Sequence, residues 1–174
     1  MVSTGQAGWR LGPIADNETL RLTRDANEFG AKMVADCKGR FGLFAALPLP
    51  DVKATLREIA YALDTLKADG FRIPTSFGGK YLGDQVFVPV LEELNRRKAV
   101  VYHPTEPACC GAIIPNLIPN TIEYGTGTTR NIMSLVNNVA VKYPDIRFIF
   151  SAVAGLIHLT RWHAFCMVQT TVHG

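Results

Sequence analysis

The side chains able to ligate metal or carry protons are few in this sequence, and their spacing keeps most of them apart. His103 closes the run Val100-Val101-Tyr102 and precedes Pro104, which holds it in extended backbone. An imidazole at the carboxyl end of a buried strand stands where α/β folds gather their chemistry. The competing reading is a strand-end histidine hydrogen-bonded to a neighbouring loop. His158 and His163 lie about 140° apart on a helix and on opposite faces of a strand, so they share no ligand face. Glu123 is a lone carboxylate on a predicted loop. Gly78-Gly79-Lys80 suggests phosphate, but it lacks the four-residue spacer and the hydroxyl of a P-loop. No Ser-His-Asp set and no Gly-x-Ser-x-Gly elbow occurs.

The elements that must position His103 can be read from hydrophobic period and punctuation. Residues 1–15 read as a glycine-containing loop, with room for a strand before residue 10. Asp16 or Asn17 caps a helix to about Lys38, with Leu22, Ala26, Phe29 and Met33 expected on its core face and Gly39 as its stop. The apolar run 41–47 predicts a strand covered on both faces. Asp51 caps a helix over 51–68 whose stripe is Val52, Leu56, Ile59, Leu63 and Leu66, ended by Gly70. A strand over 71–76 follows, disturbed by Arg72 and Pro74. Residues 77–84 read as a loop, and Pro89 opens a helix to Arg97.

The strand over 99–102 leads into His103, and 106–125 reads as a long functional loop. Gly125-Thr126-Gly127 continues that loop, and Thr128 or Thr129 caps a helix with Ile132, Leu135, Val136 and Val139 inward. Tyr143-Pro144-Asp145 turns into a strand over 146–151. Strands alternating with helices predict a parallel α/β sheet built from βαβ units. Residues 152–174 are apolar and show no trusted period.

Composition narrows the classes. The chain has 174 residues, 48% apolar and 19% charged, which suits one soluble domain. Its net charge of +3 is dispersed, with Arg96-Arg97-Lys98 at a predicted helix end, so nucleic acid is not expected as a partner. No secretory leader is read in the first residues, and no apolar stretch reaches the roughly 18 residues of a membrane span. Cys37, Cys109, Cys110 and Cys166 form no Cys-x-x-Cys pair, which predicts reduced thiols and a cytoplasmic location.

Five stretches in order carry a resemblance: Arg40-Phe41-Gly42-Leu43-Phe44-Ala45-Ala46-Leu47-Pro48, the Gly-Gly-Lys-Tyr-Leu-Gly-Asp loop at 78–84, Glu92-Glu93-Leu94-Asn95-Arg96-Arg97, Tyr102-His103-Pro104-Thr105 and Phe148-Ile149-Phe150-Ser151. Together they resemble the decarboxylase branch of the amidohydrolase superfamily. Aminocarboxymuconate-semialdehyde, γ-resorcylate and fungal 6-methylsalicylate decarboxylases are its members, the fungal type being the most similar.

The resemblance implies a (β/α)8 TIM-type barrel, of which this chain carries about five βα units as a partial barrel. Residues 1–151 form that part and 152–174 a divergent tail. It implies metal-dependent, non-oxidative decarboxylation of an aromatic or unsaturated carboxylic acid, with Zn²⁺ or Mn²⁺ as cofactor. His103 would then be a metal ligand, and Gly79, Lys80 and Tyr81 would shape the substrate pocket.

Three departures bear on that implication. No His-x-His or Glu-x-His precedes residue 16, and the family's ligand Asp near its last strand has no counterpart read here. The family's catalytic histidine after Phe-Ser is Ala152 here. The strand before His103 is one residue short of the family pattern, and a one-residue slip reverses the face of a side chain. Impaired activity is therefore expected, with open sheet edges favouring a homo-oligomer. A non-catalytic binding or partner subunit is the alternative, and a hydrolase of the same superfamily the third reading.

Overall fold

In the computed structural model, residues 2–3, 17–37, 39–77, 80–104 and 120–150 are described. Five strands form one sheet: β1 (Val2–Ser3), β2 (Leu43–Ala46), β3 (Gly70–Arg72), β4 (Val100–His103) and β5 (Arg147–Phe150). Their spatial order equals their sequence order, and every pair is parallel. Helices α1 (Asn17–Asp36), α2 (Val52–Asp64), α3 (Val88–Arg96) and α4 (Asn120–Asn138) connect them. This is a partial (β/α)8 barrel, as the resemblance implies, with the parallel strands that the alternation of elements predicts.

Strand alternation divides the sheet into two faces. Leu43, Ala45, Phe71 and Val101 share a cluster with Ile59 and Ala62 of α2, Leu91 and Leu94 of α3 and Leu135 of α4. This is the helix-facing side. Phe44, Gly70 and Tyr102 point to the other, inner side. The Phe44 and Tyr102 rings stack at 5.8 Å across β3, and glycine makes that possible. A Cβ on Gly70 would meet Phe44 Cε1 at 2.6 Å and the Val100 carbonyl oxygen at 2.5 Å.

Helix α2 starts as its sequence dictates, with Asp51 Oδ1 accepting from the Ala54 amide at 2.9 Å. It ends at Asp64 rather than at residue 68, and Gly70, read as its stop, instead opens β3. Helix α4 corrects the sequence reading further. It begins at Asn120, so Gly125 to Thr129 lie inside the helix rather than in a loop and cap. Leu135 and Val139 are buried as expected.

The largest correction is in α1. Its buried residues are Thr19, Thr23, Asn27 and Gly30, and the expected core stripe is not the buried face: Leu22 and Ala26 are half-buried, with Phe29 65% and Met33 38% exposed. The reason is a polar anchor. Asn27 Oδ1 accepts from the Ala46 amide at 2.8 Å, and Asn27 Nδ2 donates to the Ala46 carbonyl at 2.9 Å and to Glu58 Oε1 at 2.8 Å. The carboxamide thus serves both backbone groups of Ala46, as a neighbouring strand would. Arg24 closes the network with two bonds to Glu58 Oε2, at 2.9 and 2.8 Å, and lies over the Tyr61 ring at 3.6 Å. Buried hydrogen-bonding demand has overruled the hydrophobic stripe. Gly39 still stops the helix, at φ +74°.

Candidate active site

Barrel chemistry sits at the carboxyl ends of the strands. Here those ends are Ala46, Arg72, His103 and Phe150, which neighbouring register brings side by side. Pro74 ends β3 early, since it offers no ladder donor, but the Ile73 amide still bonds the Tyr102 carbonyl at 2.9 Å.

His103 ends β4 and is 1% exposed. Its Nδ1 lies 2.8 Å from the Ile73 carbonyl oxygen. A carbonyl only accepts, so Nδ1 carries the hydrogen of the neutral ring and Nε2 carries the lone pair. Burial pushes the imidazole pKa down to about 4, against the opposing pull of backbone hydrogen bonds at Ile73 and Pro74. The ring stacks near Phe150 at 5.3 Å and Phe148 at 5.9 Å. Both phenylalanines pack on the helix-facing core.

The 77–84 loop is held by Phe77 and Lys80, whose backbones exchange hydrogen bonds at 2.8 and 3.0 Å. Phe77 packs edge-on against Phe87 at 5.6 Å, and Leu82 is fully buried. Asp84 Oδ2 accepts from the Tyr81 amide at 2.8 Å. Lys80 is exposed and Tyr81 half-buried, while Gly78 and Gly79 lie outside the described residues. Ala152, the tail 152–174 and most of the 106–125 stretch also lie outside them. The structure therefore brings none of Gly79, Lys80 and Tyr81 into a described contact with His103.

Two inner-face residues escaped the sequence reading. Arg72 and Tyr102 are register partners at the ends of β3 and β4, both half-buried. Their signal was strand alternation, but the start of β3 had to be placed at Gly70 before it could be read.

An amidohydrolase family model matches residues 7–166. The chain belongs to the amidohydrolase family. Decarboxylase macB of Penicillium terrestre is 38% identical over 151 residues, covering 80% of this chain and 45% of that protein. The 6-methylsalicylic acid decarboxylase acuB of Aspergillus aculeatus is 36% identical over 168 residues, covering 90% and 51%. Among solved structures, 5-carboxyvanillate decarboxylase of Sphingomonas paucimobilis superposes with a TM-score of 0.74 at 25% identity, over 85% of this chain and 45% of that one. A dihydroxybenzoic acid decarboxylase from Polaromonas with bound manganese and the inhibitor 2-nitroresorcinol shares the fold, with a TM-score of 0.64 at 22% identity over 76% and 44%. The amidohydrolase chain spans about half the length of the curated relatives it matches.

The divalent metal that the resemblance implies does not find its full ligand set within the described residues alone. Among the described residues no group of three His, Cys, Asp or Glu side chains could hold one. A structural or catalytic site needs three to four ligands, and one imidazole does not supply them. No helix among the described residues is long and apolar enough to cross a membrane.

Proposed function

We propose that this fold serves the non-oxidative decarboxylation of a small aromatic carboxylic acid of the salicylate kind, and that the 174-residue chain by itself performs it poorly. The observation that supports the reaction class is 36–39% identity to fungal decarboxylases over most of the chain, on a parallel sheet with its strand ends in register. Poor activity follows from the described residues, which gather no metal group, and from Ala152 where the resemblance implies a catalytic imidazole.

On the inner face, Arg72 would meet the substrate carboxylate, since a guanidinium binds carboxylate bidentately. The stacked Phe44 and Tyr102 rings would lie beside the aromatic ring. Gly79, Lys80 and Tyr81 belong to the proposal as loop residues that would shape the substrate pocket. A divalent metal belongs to the proposal, with Zn²⁺ and Mn²⁺ as the candidates. The division into a barrel part (1–151) and a divergent tail (152–174), a cytoplasmic location and a homo-oligomer are proposed with it.

The test is carbon dioxide release from 6-methylsalicylate and 2,6-dihydroxybenzoate, with and without added Zn²⁺ or Mn²⁺. Slow but measurable release, with KM raised about tenfold or more by Arg72→Met, is expected from loss of a charged hydrogen bond. Release from neither acid, while an unrelated amide or ester is hydrolysed, would replace decarboxylase by hydrolase.

A further inference from the structure

We infer that β4 aims its terminal histidine away from the barrel interior, so that His103 pins three strands together instead of ligating a metal, and Tyr102 holds the inward position at that level.

The faces of the sheet carry the argument. Val101 is fully buried in the helix-facing cluster, and alternation puts His103 on the same side. Its register partner is Phe150, as Val101 has Phe148. Both phenylalanines pack against that cluster and stack with the imidazole, so three aromatic rings share the helix side of the sheet. Tyr102 between them faces the other way and stacks on Phe44, over the gap that Gly70 leaves.

A ligand at a strand end must point inward, because ligands from other strands converge only there. From the helix side no backbone-preserving rotamer crosses the sheet. One residue more in β4 would reverse this, since successive side chains alternate faces. The residue-level consequence is a changed role. His103 donates to the Ile73 carbonyl at 2.8 Å, tying β4 to β3, and its stacking ties β4 to β5.

The inference concerns coordination and not turnover, so it stands or falls apart from the decarboxylase reading. The test uses the whole chain with ¹⁵N-labelled imidazoles, titrated with Zn²⁺ and followed by NMR, beside calorimetric Zn²⁺ affinity of wild type and His103→Phe. The ring nitrogens of His103 are expected to stay unmoved through the titration. Any Zn²⁺ affinity should change less than twofold in His103→Phe, whose ring can keep the stacking. Coordination shifts at His103 Nε2, or a tenfold or greater loss of affinity in His103→Phe, would overturn the inference. Should His103→Phe fail to fold, the wild-type titration decides alone.

Discussion

At the residue scale, His103 ties stability to pH. Its folded pKa lies near 4, below the ordinary 6.5, because the buried ring resists charging. The unfolded chain therefore binds the proton first as pH falls. Stability is full above about pH 6.5 and declines between 6.5 and 4, with an upper bound of about 3 kcal/mol. Urea unfolding at pH 7.5 and 4.5 should show this loss, and His103→Phe should remove most of it. Equal slopes in both proteins would assign the loss to other groups.

Asn27 is the second residue with a sharp consequence. It satisfies both backbone groups of Ala46 and one oxygen of Glu58. Asn27→Ala leaves these buried groups without their partner and should cost about 2–4 kcal/mol. Urea denaturation midpoints measure it. A loss under 0.5 kcal/mol would show that water replaces the carboxamide without penalty. The functional consequence lies at the carboxyl end of β2, whose last residue Asn27 fixes.

At the element scale, the close approach of strands rather than helix propensity decides tolerance. Gly70→Val would drive a side chain into the Val100 carbonyl and the Phe44 ring. Overpacking against backbone costs about 3 kcal/mol or more, and the Phe44–Tyr102 stack on the inner face should be lost with it. Thermal unfolding and near-ultraviolet circular dichroism report the two effects. Unchanged aromatic dichroism in Gly70→Val would show that the rings do not depend on the gap. Helix α1 illustrates the opposite rule. Its outward Phe29 is 65% exposed, so its substitution should leave monomer stability almost unchanged.

At the scale of the whole molecule, β1 and β5 are the outer strands of the sheet among the described residues, each with one described strand neighbour. Ile149 on β5 is 45% exposed, and elsewhere Phe29 and Met33 of α1 are 65% and 38% exposed and Val141 78%. Unpaired strand edges and apolar patches favour association. Light scattering should therefore find species above 19.1 kDa, the mass of one chain, growing with concentration. Ile149→Lys and Phe29→Lys should each shift the distribution toward monomer. A concentration-independent monomer in the wild type would show that the edges are covered within the chain.

The sequence by itself determined the alternation of elements and the Asp51 cap, because these depend on neighbours within a few residues. Asp51 and Ala54 belong to one turn, and the apolar run 41–47 is legible wherever it packs. The ordered motifs likewise sufficed to identify the family. Which face a residue takes was decided only by tertiary structure. The outward turn of Phe29 and Met33 follows from Asn27 reaching Ala46 and Glu58, 19 and 31 residues away. The stretch 120–129 became helix although its glycines and threonines read as loop and cap, since local propensity is a weak prior against packing. The role of His103 turned on the same kind of fact. Its place at a strand end was plain from Tyr102-His103-Pro104, but its direction depended on the register of β4 against β3 and β5. A side-chain period of two makes one residue decide between a barrel interior and a packed helix layer.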